Sequence, residues 1–392
     1  MVLSVLDFLV LGVAVFPFIY YLISLYSARE FFAQEPEYSA PNREFTPPVS
    51  ILKPVRGLDP DAYQNFASFC DQDYPEYEVV FCVDRDDPAV EVVEKLKRDF
   101  PKCNIRLLFG SGRNGINDKV GRLVRLTEEA KYDLFVITDG DVRVDSGYLR
   151  SVVTPFQNPK LGAATCLYAS TEDKSFVERL QSVSMIADFF AGIIVAWKLD
   201  GVKFTLGQSI LTTRENISGF GGYKTLEDRP ADDLYIGRLA IEQGLETRLL
   251  PYVVRTVPDF RSTKDLLRKR LRWMTVMRHM RPSGHFGLLF TWGLPWSLAA
   301  IAVHPTMAVA AGYLGTYAIL RIAMTWLIGI RGMHQTGLWK KMYLVPVWDV
   351  TAFLIWIASF AQHTIRWRGV DYFLRNGRLT LNSVRTVETP LQ

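Results

Sequence analysis

Asp139, Gly140 and Asp141 follow the apolar run "YDLFVIT" in the middle of the chain. Two carboxylates two positions apart, at the end of an extended strand, point to the same side. Their repulsion is about 4 kcal/mol at ~4 Å and an effective dielectric near ~20, so a proton, an arginine or a divalent cation must offset it. A hard cation such as Mg2+ or Mn2+ suits oxygen ligands of this kind and also grips a diphosphate. Gly140 keeps the bend free of side-chain bulk. Taken alone, the triplet reads more readily as an Asp-Gly turn with solvated carboxylates.

A second acidic pair, Asp232 and Asp233, follows a glycine-rich loop and opens a helical pattern with Leu234, Ile236, Leu239 and Ala240. An aspartate at that point caps the helix and offsets its dipole, a task assigned to Asp232. Its neighbour Asp233 is then the natural general base, because all five histidines fall at or after His279. Farther on, "STKDLLRKRLRWMTVMRHMRPSG" sets Arg268, Lys269, Arg270, Arg272, Arg278 and Arg281 around Trp273. Such a stretch is an amphipathic helix resting on anionic headgroups, from which Arg272 and Trp273 reach into a site.

These groups need elements to hold them. "PVSILKPV", "YEVVFCVD", "NIRLLF" and "DLFVIT" are near-continuous apolar runs, suited to a parallel sheet covered on both faces. Helical patterns near residues 60 to 71, 88 to 99 and 118 to 130 separate them. The class is α/β, and ligands of such sheets gather at the carboxyl ends of the strands, where Asp84, Asp139 and Asp141 fall. Residues 177 to 197 carry an apolar stripe at helical spacing, read as core that also borders a lipid.

Outside this region the chain turns apolar. Residues 8 to 26 give 19 uncharged positions, or roughly 29 Å of helix, enough to cross a bilayer. A retained anchor fits better than a cleaved signal, since there is no basic n-region and no small-residue cleavage site. Three more apolar stretches lie at about 286 to 303, 307 to 330 and 343 to 363. Arg321 and Asp349 inside them are expected to face protein rather than lipid. Their basic flanks all read as cytoplasmic, which three full crossings cannot satisfy, so one segment is expected to be re-entrant or interfacial.

With 392 residues, 49% of them hydrophobic, the chain has material for a large core and is no disordered polypeptide. A net charge of +4 does not call for nucleic acid, and none is expected as a partner. The four cysteines lack close spacing, which argues for reduced thiols and against a zinc site or disulfide framework.

Taken in order, "FCVDRDDPAV", "GINDKVGRL", "ITDGDVRV", "ADDLYIGRLA" and "KRLRW" resemble the ceramide glucosyltransferase family, glycosyltransferase family 21. "SFCDQDYPEYEVVF", "TCLYAST" and the "LRW" stretch are most similar to its bacterial branch, which adds N-acetylglucosamine to the hopanoid bacteriohopanetetrol. The resemblance implies a GT-A catalytic domain with N-terminal and C-terminal transmembrane helices. It implies that Asp84 and Lys119 contact a UDP-sugar, that Asp139 and Asp141 hold the metal and diphosphate, and that Asp233 is the catalytic base. Arg272 and Trp273 take the last places of a (Q/R)xxRW signature, on the diphosphate and the acceptor respectively. Lys269 stands where that signature has Gln or Arg, and the histidine that animal ceramide enzymes carry near Asp188 to Ala191 is missing here.

The expected layout is an anchor over 1–28, a GT-A domain over 45–260, a basic interface segment over 261–284, membrane or re-entrant segments over 285–365 and a basic tail over 366–392. The expected activity is inverting transfer of glucose or N-acetylglucosamine from a UDP-sugar to a lipid hydroxyl, on hopanoid or ceramide. Its place is a bacterial inner membrane, with the catalytic domain in the cytoplasm. A processive polysaccharide synthase shares the aspartates and the RW motif, and a catalytically dead membrane scaffold is the reading from outside enzymology.

Overall fold

The computed structural model describes residues 5–35, 44–110, 117–229, 231–258, 260, 262–362, 364–367, 370–375 and 378–381. Gly115 and Ile116 of the "GIND" motif and residues 382–392 of the basic tail lie outside them. The chain forms two compact units, each assembled from separate stretches. One comprises Phe31–Asp173 and Leu199–Asp259; the other comprises Met1–Glu30, Lys174–Lys198 and Phe260–Gln392.

The first unit is built on an eight-stranded sheet. Its strands are β1 (Val49–Pro54), β2 (Tyr77–Val83), β3 (Asn104–Phe109), β4 (Leu134–Ile137), β5 (Val142–Arg143), β6 (Leu161–Ser170), β7 (Ile210–Thr213) and β8 (Glu246–Thr256). They lie in the order β3-β2-β1-β4-β7-β6-β8-β5. The four apolar runs pair in parallel, with Leu52 of β1 opposite Val80 of β2 on one side and Ile137 of β4 on the other. Val79, Val80, Ile51, Leu52, Val136 and Ile137 are all buried, as strands covered on both faces require. β7 then runs antiparallel to β4 and β6, so the sheet is mixed beyond the switch point. Helices Ala62–Cys70, Ala89–Asp99 and Asp118–Glu129 connect the parallel strands, matching the three helical patterns of the sequence.

The strand order reverses between β1 and β4, and the carboxyl ends at that reversal open the crevice in which such sheets bind ligands. Asp84 directly follows β2, and Asp139 comes two residues after β4. The expectation of an extended Asp139–Asp141 is corrected here: Gly140 and Asp141 form a turn between β4 and β5. The physical reason lies in the partners of β5, which leaves β1 behind and pairs with β8 instead.

The second unit is helical and apolar. Among the described residues, four helices are long and apolar enough to cross a membrane: Val5–Phe32, Phe176–Asp200, Met307–Gly332 and Leu344–Ala361. Among the described residues, Pro282–Thr291 and Gly293–Val303 make a further apolar pair bent by 55°, a shape that suits either a broken span or a re-entrant segment. Phe176–Asp200 differs from the rest, since 67% of its apolar window is buried within the protein. Arg321 and Asp349 are 4% and 1% exposed and pair with each other, as the cost of unpaired charge in lipid demands. Tyr317 donates a third bond to the same carboxylate, 2.8 Å away. Arg278 donates to the carbonyls of Phe360 and Gln362, each at 2.7 Å, and so closes the C-terminal end of Leu344–Ala361. Three antiparallel strands, Thr364–Trp367, Val370–Arg375 and Arg378–Leu381, follow.

Candidate active site

The helix Asp118–Glu129 organises the crevice. Asn117 caps it, its side-chain oxygen accepting from the Lys119 and Val120 N–H groups at 3.2 and 3.4 Å. This fixes the first turn, from which Lys119 and Arg122 project three residues apart on neighbouring positions of one face.

Lys119 meets the acidic groups. Its Nζ is 2.7 Å from Asp139 Oδ1 and 3.8 Å from Asp232 Oδ2. Burial alone would lower its pKa, but the carboxylates of Asp139, Asp232 and Asp233 outweigh that and hold it above the ordinary lysine value. Gly207 marks the centre of the group. A Cβ at Gly207 would stand 3.2 Å from Asp233 Oδ2, 3.3 Å from Asp139 Oδ2 and 3.6 Å from Lys119 Nζ. Only a residue without a side chain leaves that space open.

Asp233 sits at the start of the helix Asp232–Glu242 and is half-buried. Its Oδ2 accepts from the Gly207 N–H at 3.1 Å and its Oδ1 from the Leu234 N–H at 2.9 Å. Desolvation, reinforced by the charge of Asp232, pushes its pKa up to about 6 despite the opposing pull of Lys119. The capping role expected of Asp232 is corrected. Ala231 holds the cap position and makes no side-chain bond, while Asp232 is the first helical residue. Asp232 instead accepts from Asn117 Nδ2 at 3.3 Å and faces Lys119, because the nearby amide and ammonium offer it stronger partners than the helix N–H groups.

Arg122 serves the other end. It is 1% exposed, with Nη2 2.9 Å from Asp84 Oδ2 and Nη1 2.6 Å from Asp118 Oδ2. Arg56 reaches the same Asp118 oxygen at 3.0 Å. The second oxygen of Asp84, Oδ1, is buried and has no hydrogen-bond partner among the described residues. An unsatisfied buried carboxylate oxygen is costly, and an incoming N–H would relieve it.

Behind the Asp139–Asp141 turn lies Lys53 of β1, fully buried, whose Nζ donates to the Asp139 carbonyl at 3.2 Å. The ammonium also lies over the Phe69 ring, 3.6 Å from its centroid. Burial pushes its pKa down to about 7, against the attraction of Asp141 and Asp139. Two lysines thus answer the repulsion between the carboxylates, one from the side and one from behind. Asp59 stands close as well, since a Cβ on Gly140 would come 2.7 Å from its Oδ2.

Among the described residues, no group of three or more His, Cys, Asp or Glu side chains is arranged to hold a metal. The donor chemistry still fits Mg2+ or Mn2+. Such an ion keeps several waters and takes one or two protein carboxylates beside substrate phosphates, and Asp139 and Asp141 are both half-exposed oxygen donors.

Of the residues singled out in the sequence, Lys119, Asp139 and Asp233 converge at Gly207, Asp141 shares the turn of Asp139, and Asp84 is tied to the same helix through Arg122. Arg272 and Trp273 belong to the helical unit, on the helix Thr263–Met280. There Trp273 lies 5.5 Å from the Phe189 ring, with Arg270 and Lys269 over its face at 5.0 and 5.3 Å. The sequence reading missed Lys53, Arg122 and Gly207. A lysine inside the apolar run "SILKPV" and an arginine four residues after Asp118 were the available signals for the first two.

A family model described as "Glycosyl transferase family 21" matches residues 9–380. Ceramide glucosyltransferase 3 of Caenorhabditis elegans is 25% identical over 352 residues, 84% of this chain and 73% of its own length. A ceramide glucosyltransferase of Komagataella phaffii is 41% identical over 110 residues, 26% of this chain and 22% of its own. Among solved structures, the mannosyltransferase PcManGT from Pyrobaculum calidifontis, in complex with GDP-Man and Mn2+, is similar at a TM-score of 0.50. It is 16% identical and covers 88% of this chain and 99% of its own, a likeness of fold.

Proposed function

The chain belongs to glycosyl transferase family 21 and is a hexosyltransferase, and we propose that it transfers glucose or N-acetylglucosamine from a UDP-sugar to a lipid hydroxyl with inversion. The observation that carries the reading is the convergence of Asp233, Asp139 and Lys119 on the space left by Gly207.

Asp233 takes the acceptor hydroxyl proton. Its raised pKa makes its carboxylate a stronger base than an ordinary aspartate while it stays ionised at neutral pH. The Gly207 and Leu234 N–H groups hold the carboxylate oriented, so the attacking oxygen reaches the anomeric carbon from one defined face and no covalent intermediate is required. Lys119 supplies positive charge beside the departing diphosphate. Asp139 and Asp141 would hold Mg2+ or Mn2+, which when bound neutralises charge on the nucleotide diphosphate. Asp84 Oδ1, buried and unsatisfied, accepts from the N–H edge of the uracil. The assignment of Arg272 to the diphosphate and of Trp273 to the acceptor rests on the RW motif.

For the acceptor we favour a hopanoid such as bacteriohopanetetrol over ceramide, on the motif likeness to the bacterial branch, and for location a bacterial inner membrane. Basic flanks beside the apolar helices support a catalytic unit on the cytoplasmic side. Transfer of a single sugar, rather than a growing polymer, distinguishes this reading from a polysaccharide synthase.

The test is incubation of the purified chain with labelled UDP-glucose and UDP-N-acetylglucosamine against both lipid classes, read by lipid mass. One added hexose or N-acetylhexosamine, with release of UDP, is expected. Chelation should stop the reaction, and Mg2+ or Mn2+ should restore it. Asp233→Asn should cut turnover by about a hundredfold or more while UDP-sugar binding by calorimetry stays within a few-fold. Loss of binding instead would remove Asp233 from the role of base.

A further inference from the structure

Lys53 of β1 is a buried charge that the proposed chemistry leaves unused. Taking an ammonium out of water is costly, and a methionine of similar length would fill the same space without that cost. A residue that lowers stability where an apolar one would serve points to a function.

Its surroundings show what it holds. The Asp139 carbonyl accepts from Nζ at 3.2 Å, while the ammonium rests on the Phe69 ring, 3.6 Å from its centroid, with the Phe66 centroid 5.8 Å away. Both rings come from the helix Ala62–Cys70. Phe66 also borders the turn itself, since a Cβ on Gly140 would stand 3.8 Å from it. The pairing of β1 with β4 ends at Leu52 and Ile137, and the Thr138 N–H adds one bond to the Leu52 carbonyl at 3.3 Å. Past Lys53 the backbone of β1 has no donor left for the turn. Pro54 has no N–H, and the Val55 N–H goes to the Cys82 carbonyl at 3.1 Å. The Lys53 side chain takes over where the ladder stops. On the far side of the turn, the Asp141 carbonyl accepts from the Val257 N–H at 3.0 Å. The turn is thus held at both aspartates through their backbone carbonyls, which leaves the carboxylates for other partners.

Charge alone would set Lys53 against a cation, because an ammonium close to a divalent site repels it. What it offers such a site is the bond and the geometry the bond fixes. We propose that Lys53 is a positioning residue, its bond to the Asp139 carbonyl fixing the turn so that Asp139 and Asp141 present their carboxylates together to a divalent cation. This rests on the metal-assisted reading above and adds to it the group that preorganises the cation site from behind. Being fully buried, Lys53 does this without touching ion or substrate.

The experiment uses the full-length protein in detergent at one fixed pH, as wild type, Lys53→Met and Lys53→Gln. Mn2+ binding is read from the paramagnetic resonance signal of the free ion, with and without saturating UDP, and thermal unfolding is followed without metal. Lys53→Met should weaken Mn2+ binding about tenfold or more under both conditions. Its melting temperature should stay level or rise, since a buried charge has been removed. The two readouts move apart, which a merely structural lysine would not produce. Lys53→Gln keeps an N–H donor without the charge and should recover most of the affinity. Mn2+ binding that is unchanged or tighter in Lys53→Met overturns the inference, as does a Lys53→Gln protein that binds as weakly as Lys53→Met. Failure of Lys53→Met to fold, or a fall in its melting temperature alongside the affinity, makes the lysine structural and overturns the inference as well. If wild type binds Mn2+ and Lys53→Met matches it, only this inference falls; if wild type binds none with or without UDP, the metal-assisted reading falls and takes the inference with it.

Discussion

At the level of single residues, the proposed roles of Asp233 and Lys119 predict the pH behaviour. The proton-accepting form of Asp233 is the carboxylate, so kcat/KM should fall with unit slope as pH drops below about 6, the value to which burial raises it. Lys119 holds that pKa down, and Lys119→Met should therefore move the acid limb to higher pH as well as slow turnover. A pH–rate profile of the two proteins checks both statements. Stability runs the other way. From the ordinary aspartate pKa of 3.8 up to about 6, the folded chain keeps a proton that the unfolded chain has lost, so stability falls as pH rises through that window. The placement of Asp84, Asp139, Asp141 and Asp233 at strand ends and a helix start was legible because the apolar patterns beside them mark those boundaries. Lys53 was not, since a buried lysine shows its purpose only once the Asp139 carbonyl and the Phe69 ring are seen around it. Asp232 was misread as a cap because sequence offers no means of knowing that Asn117, more than a hundred positions earlier, would claim it.

At the level of elements, the helix Asp232–Glu242 docks on residues 204–207 at several points. The Thr205 hydroxyl donates to the Asp233 carbonyl, the Gly207 N–H donates to its side chain, and Gly237 lies against the Phe204 backbone. A Cβ on Gly237 would come 2.6 to 2.8 Å from that backbone, which cannot yield as a side chain would. Gly237→Ala should cost about 1–3 kcal/mol and displace Asp233. Thermal unfolding and turnover should show activity falling further than the stability loss explains. The parallel half of the sheet was readable because strands buried on both faces leave a run of apolar residues with nothing to hide. The antiparallel half was harder. β5 has two residues, and β7 has four that only its pairing with β4 and β6 identifies as a strand.

At the level of the whole molecule, the helical unit depends on its buried Arg321–Asp349 pair, held by a 3.0 Å bond from Nε and flanked by Tyr317. Removing one partner strands the other charge, so Arg321→Leu should lower stability by about 3–5 kcal/mol, whereas the double replacement by apolar residues should recover most of it. Melting of the two variants in the same detergent separates the cases. The apolar helices and their two charges were legible from hydropathy, but the assignment of 174–198 to the helical unit was not, because an apolar stripe suits the core of either unit. The interleaving governs the order in which the molecule comes into being. Residues 1–30 and 174–198 leave the ribosome before β7, β8 and Asp233 are synthesised, and until then β4 lacks its neighbour on one side. Under the proposed function, two apolar helices are therefore already synthesised when the candidate proton acceptor is added, so chemistry can begin only after them.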